Sequence, residues 1–199
     1  MNGITKAMVS IKGVSPLLMH NSQLANPLND YVIKMKEITK KHATKKTDSD
    51  LMELMRLEFQ GGLYHDDEVG PYIPGVNIEG TIRDAARTSR QGKQVESGVV
   101  VDQDKIPLKY TGPRDRESLF AEKRFVDIRA AKLQKAATIM RTRARFDQWE
   151  ADFEIMSIDD LVNIGDIERF LKLAGMVKGL GDYRPKFGRF VVTGFEVVK

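Results

Sequence analysis

Over the first fourteen residues apolar and polar side chains alternate. Ala7, Val9 and Ile11 fall on one side, and Ile4, Lys6, Met8, Ser10 and Lys12 on the other. An extended chain points successive side chains to opposite faces, so this spacing predicts a strand over 4–14 with one face in a core. Ser15-Pro16 ends it. The following PLLMHNSQLANPLND, rich in Asn, Pro and Asp, reads as an irregular loop. The apolar period then lengthens, and helices are expected at 31–41 and 50–59. In the second, Leu51, Leu54, Met55 and Glu58 share a face, with Thr47 and Asp48 suited to cap its start. The cationic KKHATKK between them reads as a solvated connector or a ligand contact.

From Gly70 to Arg90 a strand, a tight turn and a helix are expected. Pro71 and Pro74 keep the entry extended, Gly75 supplies the turn, and Ile78, Ile82, Ala85 and Ala86 recur at helical spacing. Arg83, Arg87 and Arg90 gather on the opposite side. The segment is either a packed helix or a helix whose N-terminal amides meet an anion. Residues 91–134 form the least regular stretch, an excursion from the core. Within it Val99–Val101 and Ile106–Leu108 suggest a hairpin joined by DQDK, YTGPRDRE marks a turn, and 124–133 is extended.

Alternation returns at Ile139. Arg141, Arg143 and Arg145 line one face of a strand, and Met140, Thr142, Ala144 and Phe146 the other. Beyond Asp147 the apolar phase shifts by one, to Trp149, Ala151, Phe153 and Ile155, which a bulge near Asp147 would accommodate. Three aligned guanidinium groups repel unless anions lie over them. Carboxylates on neighbouring strands or a polyanionic ligand would both serve. Ile164, Ile167, Phe170, Leu171 and Ala174 predict a helix over 164–177 with Asn163 near its start, and 189–198 a final strand. Without insertions the order is βαββαβ, an α+β ferredoxin-like (RRM-like) core carried by one domain over 1–199.

Composition narrows the classes. With 41% hydrophobic and 30% charged residues the chain is an ordinary globular protein. The absence of cysteine excludes disulfides, thiolate metal sites and cysteine nucleophiles, and fits a reducing cytoplasm. MNGITKAMVSIKG is too polar for a signal peptide and no apolar run reaches spanning length, so a cytoplasmic protein without a membrane partner is expected. A net charge of +4 permits nucleic-acid binding. The positions of the cations matter more than their sum.

The cations and glycines concentrate in GLGDYRPKFGRF, directly before the last strand. Gly179, Gly181 and Gly188 make it a loop with an unusual backbone path. Arg184, Lys186 and Arg189 add charge, and Tyr183 and Phe187 add aromatic faces. Such a loop suits phosphate, with backbone amides forming an anion nest.

Three segments in order, VSPLLMHN, YIPGVNIEGTIRDAAR and GLGDYRPKFGRFVV, resemble the repeat-associated mysterious protein (RAMP) superfamily. The second is similar to its proline-glycine segment followed by a helix ending in arginine. The third is similar to its glycine-rich loop between last helix and last strand. The chain is also similar, at PLN, GLY, IPG, MRTR and the glycine loop, to a group of tailed-phage proteins with no settled role. The closest analogues in the superfamily are backbone subunits of CRISPR effector complexes, which polymerise along RNA.

The resemblance implies a non-enzymatic protein, without cofactor or metal, that binds single-stranded RNA or DNA and assembles along it as a filament or ring. Phosphates would meet the amides at Gly179, Gly181 and Gly188 and the cations Arg184, Lys186 and Arg189, while Tyr183 or Phe187 stacks on a base. Arg141, Arg143, Arg145, Arg83 and Arg87 would extend the contact. The 29–60 helices would be an insertion, and 91–134 would correspond in position to the thumb that backbone subunits extend over a neighbour. Two other readings stand beside this one. An endoribonuclease would use His20 or Asp30, although the sequence pairs neither with a second catalytic group. A phage decoy would imitate a backbone subunit, with host CRISPR or phage replication proteins as partners in the host cytoplasm. HDDE, His65 to Glu68, is a solvated turn or a divalent-cation contact.

Overall fold

The structure, a computed structural model, describes residues 3–132 and 138–198. The chain divides into two compact units. One comprises Met1–Leu17, Asp66–Thr111 and Asp147–Lys199, the other Leu18–His65 and Gly112–Phe146.

In the first unit the expected opening strand forms as Ile4–Gly13. Its alternation buries Ala7, Val9 and Ile11, each at most 1% exposed. It pairs antiparallel with Phe190–Val198 on one side and Glu150–Ile158 on the other, and Val99–Val100 joins the outer edge of the latter. The helices Gly75–Ala86 and Ile164–Val177 complete the chain order. The spatial sequence of strands is fourth, first, third, second, which is the ferredoxin-like arrangement expected. Ala151, Phe153 and Ile155 on the third strand and Ile78, Ile82, Phe170 and Leu171 on the helices are all fully buried and form the core of this unit. Each larger one contributes about 1.5–3 kcal/mol of transfer free energy before conformational entropy is set against it. Asn163 caps the second helix by accepting from the Gly165 amide at 2.8 Å. Trp149 closes one end of the core: its indole Nε1 donates to the Ser15 carbonyl at 2.9 Å and its ring meets Phe190 edge-on.

Two expectations fail here for one reason. Val99–Val101 and Ile106–Leu108 do not pair with each other. Val99 and Val100 pair with Ser157 and Met156, whereas Lys105–Pro107 runs antiparallel to Gly70–Pro74 with Ile73 opposite Ile106. Nor is there a bulge at Asp147. Thr138–Phe146 and Glu150–Ile158 are separate strands of different sheets, and the chain passes from one unit to the other between them. In both places the local pattern is correct and the partner is chosen by tertiary packing, which strand propensity does not encode. A short helix at Gly92–Gly98, bounded by glycines, gave no usable periodicity.

In the second unit the expected helices form as Asp30–Thr39 and Asp48–Gly62. Thr47 and Asp50 make a reciprocal capping box, Thr47 Oγ1 accepting from the Asp50 amide and Asp50 Oδ2 from the Thr47 amide. The supposed irregular loop contains a short strand, Leu17–Met19, and a 3-10 turn, Ser22–Ala25. Val126–Lys132 and Thr138–Phe146 pair antiparallel, and a helix over Arg116–Ala121 was not anticipated. Leu133, the end of the expected extended stretch, and Gln134, the end of the expected excursion, lie outside the described residues. Among the described residues no helix is long and apolar enough to cross a membrane.

Candidate nucleic-acid interface

The glycine loop connects helix Ile164–Val177 to the terminal strand in the first unit. Gly179, Gly181 and Gly188 have φ of +74°, +72° and +73°, and Tyr183 adopts +58°. The physical demand behind two of these glycines is the loop's own folding. A Cβ on Gly188 would stand 1.8 Å from the Leu180 carbonyl oxygen, and one on Gly179 would stand 2.7 Å from that of Phe187. The loop is laced by backbone bonds: Gly179 N to Ala174 O, Leu180 N to Gly188 O, Phe187 N to Tyr183 O and Gly188 N to Pro16 O. The Arg189 amide donates to Ser15 Oγ at 2.9 Å.

This corrects the expected nest. The Gly179 and Gly188 amides are engaged internally, leaving Gly181, whose amide makes no hydrogen bond among the described residues. What the rigid loop offers outward is side chains. Tyr183, Arg184, Lys186 and Arg189 are exposed, while Leu180 and Phe187 anchor the loop from beneath. Phe187, 7% exposed, supports the Tyr183 ring edge-on at 5.7 Å and does not itself present a stacking face. Beside the loop lies a surface depression of about 530 Å³ lined by Asp84, Lys178, Gly181, Asp182, Tyr183 and Arg184, among others.

Helix Gly75–Ala86 supplies the opposing wall. Thr81 Oγ1 donates to the Gly179 carbonyl at 3.2 Å, and Arg184 Nη1 lies 3.4 Å from that hydroxyl and 3.8 Å from Asp84 Oδ2. Arg87 donates to Asp84 at 3.1 Å and Arg83 to Glu96 at 3.2 Å, so both arginines face carboxylates of their own unit. Thr81 and Asp84 were missed by sequence reasoning; nothing in a lone Thr or Asp on a helix signals a loop packed across it. At the start of this helix, the close approach that Gly75 permits is to the Gln103 carbonyl, 2.4 Å from where its Cβ would be.

The open face of the four-stranded sheet carries Ile4, Lys6, Met8, Ser10 and Lys12 beside Glu150, Asp152, Glu154, Met156 and Ile158. No aromatic stands among these positions. Lys6 bonds Glu154 at 2.7 Å, Lys12 lies 2.9 Å from Glu150, and Lys109 bonds Asp152. Hydrogen bonding to those carboxylates raises the pKa of Lys6 and Lys12, and bonding to Lys109 lowers that of Asp152.

The arginine row belongs to the second unit. Arg141 Nη1 donates to Glu58 at 2.7 Å, and the same carboxylate accepts from the Thr142 amide at 2.8 Å. Arg145 lies 3.8 Å from Asp127, which also holds Arg129, and Arg143 is 6% exposed opposite Asp127 in the register. Glu58 and Asp127 are themselves buried. Carboxylates of the protein therefore pair with Arg141 and Arg145, which are partly exposed, while Arg143 is buried. A signal existed in the sequence: Glu58 falls on the apolar stripe of its helix, and a buried acid requires a cation.

His20, half-buried, follows Leu17–Met19. Asp30 is exposed in the first turn of Asp30–Thr39, where a carboxylate complements the helix N-terminus. In HDDE, Asp66 accepts from the Glu68 and Val69 amides and from Lys105 Nζ. The Lys105 bond, with help from those amides, lowers the Asp66 pKa from the ordinary 3.8 to about 2. This is the solvated-turn alternative.

The fold has a counterpart among known structures. A chain in the cryo-EM structure of the Type III-B Cmr-beta complex bound to cognate target RNA superposes with TM-score 0.54 at 14% identity, over 98% of this chain. The present chain spans 61% of that chain's length. Cmr6 from Pyrococcus furiosus matches at TM-score 0.37 and 14% identity, over 94% of this chain and 97% of that one. No protein-family model and no curated protein matches the sequence. The chain thus shares its ferredoxin-like fold with that Cmr-beta chain.

Proposed function

We propose that this chain is a non-enzymatic binder of single-stranded RNA or DNA, contacting the strand through the loop 178–189 and assembling along it with further copies. The observation that carries the reading is the loop itself. Its backbone is fixed by internal hydrogen bonds, and that rigid frame holds Arg184, Lys186 and Arg189 outward with the exposed Tyr183 ring. Cations that track phosphates and an aromatic face that takes a base are the two components of sequence-tolerant strand binding. The sheet's open face is paired lysine and carboxylate without an aromatic, so the loop is the better-suited surface of the unit. A RAMP-like fold, shared with a chain from an RNA-bound complex, supports the same reading.

The test is fluorescence anisotropy with labelled single strands across a salt series. Two phosphates neutralised by Lys186 and Arg189 give a slope of log affinity against log salt of about −1.4. Lys186→Ala and Arg189→Ala each reduce the slope. Affinity indifferent to salt, or no binding at low salt, overturns the proposal. Light scattering of the protein with strands of increasing length tests the assembly.

A further inference from the structure

We infer that the depression beside the loop is a base pocket selective for guanine, an inference that rests on the strand-binding reading above and specifies what that site recognises. Its lining is chemically mixed in an informative way. Asp84 on the helix side and Asp182 on the loop side line it together with Arg184 and Lys178. Two carboxylates are unfavourable neighbours for a phosphate, but they are acceptors for the N–H groups of a base. Phosphate is better served by Lys186 and Arg189, which do not line the depression.

Asp84 has the required capacity. Its Oδ1 accepts from Arg87 at 3.1 Å and has Arg83 Nε at 4.0 Å, while Arg184 Nη1 lies 3.8 Å from Oδ2, beyond hydrogen-bond length. An ionised carboxylate accepts several hydrogen bonds, so Oδ2 and the second lone pair of Oδ1 are open to a ligand. Arg184 is steadied on one side by Thr81 Oγ1 at 3.4 Å and keeps other N–H groups to donate. The exposed face of Tyr183, propped edge-on by Phe187, supplies the stacking surface at the same rim.

An aspartate beside an arginine presents two acceptors and a donor. The Watson–Crick edge of guanine presents the complement: N1–H and the N2 amino group as donors, O6 as acceptor. Adenine and cytosine each offer one donor group on that edge, and uracil a single N–H, so each leaves a carboxylate oxygen without its bond. Bases of single strands are read in this manner, on their Watson–Crick edges and against aromatic rings.

The experiment uses oligouridylate of about a dozen nucleotides with one central guanine, adenine, cytosine or inosine, titrated by anisotropy at low salt. The guanine oligomer binds roughly tenfold tighter than the adenine, cytosine and all-uridine strands, the discrimination expected of a good bidentate pair. Inosine, which lacks the N2 amino group, falls between. Asp84→Asn, checked for folding by thermal melting, collapses the affinities for the different strands onto one value. Equal affinity of the wild-type protein for all the strands overturns the inference, as does a guanine preference that survives in Asp84→Asn. Binding without preference overturns the pocket alone; no binding to any strand overturns the strand-binding reading with it.

Discussion

Gly188→Ala separates two reasons for a glycine in the loop. The native φ of +73° costs an L-residue about 1–2 kcal/mol. The new Cβ would also stand 1.8 Å from the Leu180 carbonyl oxygen, so the loop must open. Opening loosens the 2.8 Å bonds from Leu180 N to Gly188 O and from Gly188 N to Pro16 O, each worth about 0.5–1.5 kcal/mol net. Together these terms give a loss of about 2–5 kcal/mol, or a melting point lowered by roughly 7–14 °C for a loss near the middle of that range. Trp149 is the sole tryptophan and lies buried in the same unit, so its fluorescence during urea or thermal unfolding reports the part of the molecule that holds the loop. A variant that unfolds at the wild-type midpoint refutes the argument. If it also loses strand affinity while remaining as stable as wild type, the glycine is there for the ligand's approach and not for the loop's own closure.

Lys186→Ala removes an exposed cation and is expected to change stability by no more than about 0.5 kcal/mol while weakening strand binding several-fold, measured by melting and anisotropy side by side. Glu58→Gln deprives Arg141 and the Thr142 amide of a shared buried anion and costs about 1.5–3 kcal/mol in chemical denaturation; an unchanged midpoint would mean that the arginine row does not depend on it. Because the Lys105 bond and the turn amides hold the Asp66 carboxyl at about 2 in the folded protein against its ordinary 3.8 when unfolded, its contribution is complete above about pH 5 and is lost as pH falls through about 2. Asp66→Asn should flatten that part of the pH–stability curve, and carbon-detected NMR titration of Asp66 reads the pKa directly. Thr47→Ala breaks the capping box and lowers stability by about 1 kcal/mol.

Much of the first unit was legible because its residues obey one period at a time. Ala7, Val9 and Ile11 alternate in a strand paired on both edges, and Ile78, Ile82 and Ala85 repeat at helical spacing and are fully buried. The loop was legible for a similar reason, since positive φ at several nearby residues demands glycine. Its purpose was less so: a sequence does not state whether a glycine admits a ligand or another carbonyl, and the Leu180–Gly188 contact is visible only in three dimensions. The arginine row shows the same limit. Periodicity placed Arg141, Arg143 and Arg145 on one face, but their neutralising partners come from a helix about eighty residues earlier and from a neighbouring strand. The single clue was Glu58 in an apolar stripe.

The opening strand lies between two partners that arrive late. Ile4 faces Ile158, and Lys6 faces Val198. During synthesis at about 5–20 residues per second, it waits roughly 7–30 s before its first flanking neighbour has been made. Through that interval Ala7, Val9 and Ile11 have no sheet to enter, so the nascent chain is expected to be most prone to capture by chaperones at this point. Slowing the ribosome between the codons for Gly13 and Glu150 should lower soluble yield more than the same delay placed inside the last strand.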